Sequence, residues 1–162
     1  MTDFRTLYQT YAGDIFRFAL FLCGNRSDAE DITSETFVRA WTSNQPIRTE
    51  TVKGYLFTIA RNLYLQGRRK AGRHVALDEE IRDPHAGPLA VAEQKAEFRS
   101  VLARLQELPE IDRSAILLRA VEGLSYDEIA RALKISTAAV KTKIHRARLA
   151  FAAIRNTQED SR

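Results

Sequence analysis

Cysteine occurs once in 162 residues, at Cys23. A single cysteine excludes an internal disulfide framework and suits a reducing compartment. In "FALFLCGN" it reads as a small buried apolar residue. Long apolar runs are also missing. The most apolar stretch, "IFRFALFLC", is interrupted by Arg17 and is far shorter than the roughly 20 residues a bilayer-crossing helix needs. The opening "MTDFRTLYQTYAGD" is polar and mixed, unlike a secretory leader. The three histidines, His74, His85 and His145, stand at no metal-ligand spacing with cysteine or carboxylate. No G-x-S-x-G elbow, phosphate-binding loop or glycine-rich dinucleotide fingerprint occurs. Acid pairs sit at helix starts, where the helix dipole accounts for them. These absences lead to an expectation of a cytoplasmic protein that does not insert in a membrane, is not an enzyme, and needs neither metal nor cofactor.

Strand signals are nearly absent too, and helical periodicity recurs along the chain. Phe4, Leu7, Tyr11, Ile15, Phe18 and Leu22 form one stripe that stops at Gly24, widened by Phe16, Leu20 and Phe21. Ser27 and Glu30 have capping-pair spacing and predict a helix to about Trp41, with Ala29, Ile32, Phe37 and Ala40 inward. "TSNQPIRTE" reads as a loop. Val52, Leu56, Ile59 and Leu63 predict the inner face of a third helix, leaving Arg61 and Asn62 outward. "AGRHVALDEEIRDPHAGPLAV" has two prolines, two glycines and little periodicity, which is the composition of a linker over residues 71–91. Beyond it, Phe98, Leu102, Leu105 and Leu108 mark a helix ending before Pro109, and Ile111, Ala115, Ile116 and Leu118 mark another ending near Gly123. Ser125 and Glu128 repeat the capping spacing, and Ser136 can cap a last helix. Val140, Ile144, Ala147 and Phe151 give that helix one apolar seam. The expected fold is all-α: a three-to-four-helix bundle over 1–70, the linker, a four-helix domain over 92–156, and a disordered tail at 157–162.

Charge is sorted along this framework, although the net value is only +4. Residues 131–155 hold seven Lys or Arg and no acid. Thr137, Ala138, Lys141, Thr142, Lys143, His145, Arg146 and Arg148 lie along or beside the face opposite the apolar seam. Two short helices with a basic second one make a helix-turn-helix, whose second helix enters the DNA major groove. A second basic cluster spans 61–73, with five Lys or Arg and no acid. There Arg61, Asn62, Gln66, Arg68, Arg69 and Lys70 accompany Tyr55, Phe57 and Tyr64, and positive charge beside aromatic rings suits single-stranded nucleic acid. Tyr55 and Tyr64 individually read better as core residues. Opposite in sign, Asp28, Asp31 and Glu35 form an acidic stripe on one helix face. A basic protein partner would suit that stripe, as would dipole stabilisation plus a Glu35–Arg39 pair.

Three blocks then carry a resemblance: "AEDITSETFVRAW", "YLFTIARNLYLQGRRK" and "LPEIDRSAILLRAVEGLSYDEIARALKISTAAVKTKIHRAR". Together, and in this order, they resemble the extracytoplasmic-function group of bacterial sigma factors, within the sigma-70 family. The resemblance implies that region 2 binds core RNA polymerase at its clamp coiled coil through Asp28, Asp31 and Glu35. It implies that the "YLFTIARNLYLQGRRK" helix meets the −10 element of promoter DNA through Arg61, Asn62, Gln66, Arg68 and Arg69. Region 4, near the polymerase flap, would read the −35 duplex through Thr137, Ala138, Lys141, Thr142, Lys143, His145, Arg146 and Arg148. An anti-sigma factor that masks both domains is also implied. Departures from the family pattern are Ser34 and Gln66, Lys134 in place of the glycine of the turn, and Ala138 and Ala139 at the start of the reading helix. The alternative is a free-standing helix-turn-helix repressor, which needs a dimer interface that no heptad supplies and leaves the first domain without a task.

Overall fold

The structure, a computed structural model, describes residues 3–43, 51–71 and 88–160, with side chains for 3–43, 51–68 and 95–153. Every element among them is helical. In order they are α1 (Phe4–Cys23), α2 (Arg26–Thr42), α3 (Val52–Ala71), α4 (Pro88–Glu107), α5 (Glu110–Ile116), a π-helical segment (Leu117–Val121), α6 (Tyr126–Leu133) and α7 (Thr137–Asp160). The expected linker lies largely outside the described residues, as do His74, His85 and Pro46.

Helix ends follow from local chemistry. Asp3 starts α1 by accepting the Thr6 N–H at 2.8 Å, and Gly24, at φ 72°, ends it with its N–H on the Leu20 carbonyl. The cap of α2 is Asn25 rather than Ser27: its side chain accepts the Asp28 N–H at 2.9 Å. Glu30 is turned instead to Arg26, one turn back, at 3.2 Å. Both residues suit a cap, and Asn25 prevails because it directly follows the left-handed glycine, where the chain is extended. The Ser125–Glu128 capping box is complete, and Ser136 accepts the Ala139 N–H at 3.0 Å. Helix α7 continues to Asp160, past residue 156 where the sequence pattern ended it.

Helices α1, α2 and α3 pack around Ile15, Phe18, Leu22, Phe37, Leu56, Phe57 and Ala60, with the Phe18 and Phe57 rings edge to face at 5.1 Å. Helices α5, α6 and α7 enclose Ala115, Leu118, Ile129, Leu133, Val140, Ile144 and Ala147. These two cores are continuous: helices α4, α5 and the π segment lie against α1, and α6 lies against α3. The sequence pattern led to two domains with no fixed mutual arrangement, whereas here the second group docks on the first. Docking also turns the buried face of α3. Phe57, Ala60, Arg61 and Tyr64 are buried, while Ile59 and Leu63 are only half-buried. A stripe read from one helix cannot register a neighbour supplied from 49 residues away.

Lys134 has φ 58° and ψ 44°, and is the one described non-glycine residue in the left-handed region. A β-carbon there costs about 1–2 kcal/mol, so Lys134→Gly should raise the melting temperature by about 2–8 °C in calorimetry. Asn25→Ala should cost about 1 kcal/mol, and Ser27→Ala less than about 0.5 kcal/mol, in paired denaturant titrations.

Candidate nucleic-acid interface

The helix-turn-helix is built by α6, the Lys134 turn and α7. Val140, Ile144 and Ala147 are fully or almost fully buried and anchor α7 to α5 and α6. That anchoring leaves Thr137, Ala138, Lys141, Thr142, His145, Arg146 and Arg148 exposed, with Lys143 half-buried at the edge. Two contacts hold cations on this surface. The Lys141 ammonium lies 5.5 Å from the Tyr126 ring centroid, and the Arg119 guanidinium lies 4.4 Å from the same ring. Such contacts orient a cation while leaving its charge available. Arg146 reaches back to Asp112, at 3.8 Å. The Asp112 carboxylate is buried and has no hydrogen-bond partner among the described residues, and Arg146 is its ion-pair partner. Helix α7 thus presents a dense row of donors whose inner side is fixed by packing. Such a row suits phosphates and base edges in a major groove.

The second cluster is divided. Gln66 and Arg68 are exposed near the C-terminal end of α3, and Asn62 is half-buried; Arg69 lies within the helix. Gln66 accepts a long hydrogen bond from Arg39 at 3.5 Å, and the Arg68 guanidinium lies 5.7 Å from the Tyr64 ring centroid. Arg61 does not face outward as the sequence pattern suggested. It is buried and donates through Nε and Nη2 to both carboxylate oxygens of Glu110, at 2.8 and 3.0 Å. Tyr64 is a core residue, and its hydroxyl accepts from Arg113 at 3.2 Å. Asp28, Asp31 and Glu35 are all exposed on α2, with Glu35 paired to Arg39 at 3.2 Å.

Sequence reasoning missed the charges that join the two helix groups. Arg17 donates to both oxygens of Glu122 at 3.0 and 2.9 Å, and the Glu122 side chain is fully buried. The Lys53 ammonium donates to the Glu122 carbonyl at 2.8 Å, and Thr51 donates to Glu128. Buried Arg113 donates to the Leu22 carbonyl and to Gln106. The signal that could have found them is weak: Arg17 and Arg113 interrupt otherwise apolar stripes. Among the described residues no helix is long and apolar enough to cross a membrane.

Two family models match in chain order: "Sigma-70 region 2" over residues 7–74 and "Sigma-70, region 4" over residues 98–151. The chain is therefore a sigma-type transcription initiation factor, a class that does no chemistry of its own. The chain is 36% identical to the ECF RNA polymerase sigma factor SigE of Mycolicibacterium smegmatis over 91% of its own length, which spans 60% of that relative. It is 32% identical to SigM of Bacillus subtilis, with 93% of each chain covered. Among solved structures it resembles the sigma factor RpoE of Bartonella quintana, determined in complex with the anti-sigma factor NepR. There the TM-score is 0.74 at 25% identity, covering 93% of this chain and 94% of that one. The chain belongs to the extracytoplasmic-function group of RNA polymerase sigma factors.

Two carboxylates between the helix groups predict acid sensitivity. Burial pushes the Glu110 carboxyl up, but hydrogen bonds from Arg61 and Ser114 outweigh it and leave it below the ordinary 4.5. The Thr51 hydroxyl, aided by Ser125, likewise lowers Glu128. A depressed folded-state value gives stability that is present above about pH 4.5 and lost as pH falls through the lower folded value. The melting temperature should drop steadily below about pH 4.5, and Glu110→Gln should flatten part of that drop in a pH series.

Proposed function

We propose that this sigma factor works through two modules, residues 1–70 and 92–156, each given its own target. In the first, Asp28, Asp31 and Glu35 meet a basic surface of core RNA polymerase at the clamp coiled coil. Arg61, Asn62, Gln66, Arg68 and Arg69 meet the −10 element, with the cations following the phosphates of the opened strand. In the second, which sits near the polymerase flap, Thr137, Ala138, Lys141, Thr142, Lys143, His145, Arg146 and Arg148 read the −35 duplex. The carrying observation is the outward row of α7, cationic and acid-free, on a helix whose opposite side is locked into the core. An anti-sigma factor is a proposed partner, because the Bartonella relative is held by one. These tasks place the chain in the cytoplasm, where the polymerase is.

The test is run-off transcription with core polymerase on a library of −35 and −10 sequences. Arg146→Ala or Arg148→Ala should cost about 1–3 kcal/mol of promoter selectivity and relax one base preference. Lys141→Ala should weaken all sequences alike and reduce the salt slope by about 1. An unchanged library profile with all of these replaced would remove α7 as the reader.

The acidic stripe has a separate test. Glu35→Lys removes a surface pair with Arg39 worth at most about 0.5 kcal/mol, so circular dichroism and melting should hardly change. At a basic partner surface the same reversal sets like charges together, which costs several kcal/mol. Core polymerase pull-down should therefore fail for Asp31→Lys combined with Glu35→Lys. Full capture of that double variant would leave the stripe as a solvated face.

A further inference from the structure

Asp112 is a buried charge that the fold itself does not explain. Its side chain is 1% exposed, and neither carboxylate oxygen has a hydrogen-bond partner among the described residues. Buried polar groups in native proteins are nearly always bonded, so an exception calls for an explanation. Other buried charges are answered inside the fold. Glu122 accepts two hydrogen bonds from Arg17, and Arg113 donates to the Leu22 carbonyl, Gln106 and Tyr64. Among the described residues, the cation at ion-pair distance from Asp112 is Arg146, whose Nη1 lies 3.8 Å from Oδ2.

That separation is too long for a hydrogen bond, so Asp112 attracts the guanidinium without consuming a donor. Arg146 carries five N–H donors in a planar fork, and its side chain is 56% exposed. No hydrogen bond to a described residue occupies them. Asp112 stands in the first turn of α5, where the helix dipole favours a carboxylate. Arg146 stands on α7 beside Ala147, which is fully buried. The carboxylate thus lies behind the cationic row, and the fork lies at its surface.

We propose that Asp112 is a positioning residue for the −35 reading helix: it holds Arg146 by one edge of the guanidinium and sets the plane in which the remaining donors meet a base. The inference rests on the reading role of α7 proposed above. A bidentate contact with guanine needs a fixed guanidinium plane, because two donors must meet O6 and N7 together. An unrestrained arginine gives up rotamer freedom when it is fixed, and a carboxylate behind it takes that loss at folding. The same carboxylate opposes loose binding. Its negative charge lowers the attraction of α7 for phosphates of any sequence. Arg146 can turn wholly to a phosphate only by leaving Asp112 buried without a cation, which is strongly unfavourable. Both effects favour the one geometry in which Arg146 serves Asp112 and a base together. Arg148 is the internal comparison: it is exposed in the same row, and no described residue pairs with it.

Asp112→Asn and Asp112→Leu remove the charge at similar volume. These variants, Arg146→Ala, Arg148→Ala and the wild-type chain, all full length, are compared with core polymerase by run-off transcription on the −35 library. Arg146→Ala defines the base position that Arg146 reads. Each Asp112 variant should relax the preference at that position by at least ~3-fold, a share of the about 5- to 150-fold that a bidentate pair confers. The preference lost in Arg148→Ala should stay intact. In an Arg146→Ala background neither Asp112 variant should change any preference further. Melting separates positioning from folding. Asp112→Leu should melt no lower than the wild-type chain, because exchanging a buried charge for an apolar group of similar volume is often neutral or stabilising. Arg146→Ala should melt lower than Arg148→Ala, because it strands the buried carboxylate. An unchanged preference at the Arg146 position in the Asp112 variants would overturn the positioning role. So would a loss spread over all positions, an equal loss without Arg146, or a failure of both Asp112 variants to fold, which would make Asp112 a folding residue. A library profile untouched by Arg146→Ala would instead strike the reading role of Arg146, and the positioning role with it.

Discussion

Charge that is buried must be answered, and the architecture of this chain follows from where the answers lie. Arg113 and Glu122 are both nearly inaccessible to water. Leaving such groups unpaired costs far more than an exposed pair returns. Apart from Gln106, a near neighbour of Arg113 on α4, their partners are on α1 and α3, 49 to 105 residues away in sequence. The α4–α7 group can therefore bury these residues only by meeting α1 and α3 in one register. Apolar packing at Phe18, Phe57, Leu118 and Ile129 supplies most of the driving force, yet it is non-directional. The charged fastenings choose which of many apolar arrangements is adopted.

The same logic separates the two basic surfaces. On α7 the apolar seam and the cationic row share one helix pinned by the core of α5 and α6, so the row stays outward whatever the other group does. On α3 the cations share a helix with Phe57 and Tyr64, and α5 lies against that side. Arg61 is drawn inward by Glu110, while Arg68, seven residues on, stays outside. One basic surface is thus displayed and the other is divided.

How far these features could be read in advance depends on the range of the interaction behind them. The capping box at Ser125, the glycine stops at 24 and 123, and the seam of α7 were legible, because each is decided within a few residues. The cap at Asn25 was missed: Ser27 has the better-known spacing, but the preceding left-handed glycine already sets an extended residue at 25. The buried face of α3 was misjudged by about a third of a turn, and Arg61 was placed outside. Nothing local signals that α5 will arrive there. The two modules and their order were visible, whereas their docking, which rests on pairs 49 to 105 residues apart, was not.

The central claim is that buried polar and charged pairs hold the α4–α7 group on α1 and α3 in one register. A distance measured between α2 and α7 tests it directly. Ser34 and Ala152 are exposed and can carry spin labels as Ser34→Cys and Ala152→Cys in a Cys23→Ala background, read by pulsed dipolar spectroscopy. The free chain should give one narrow, short distance. A broad, long distribution in the free chain would contradict the account.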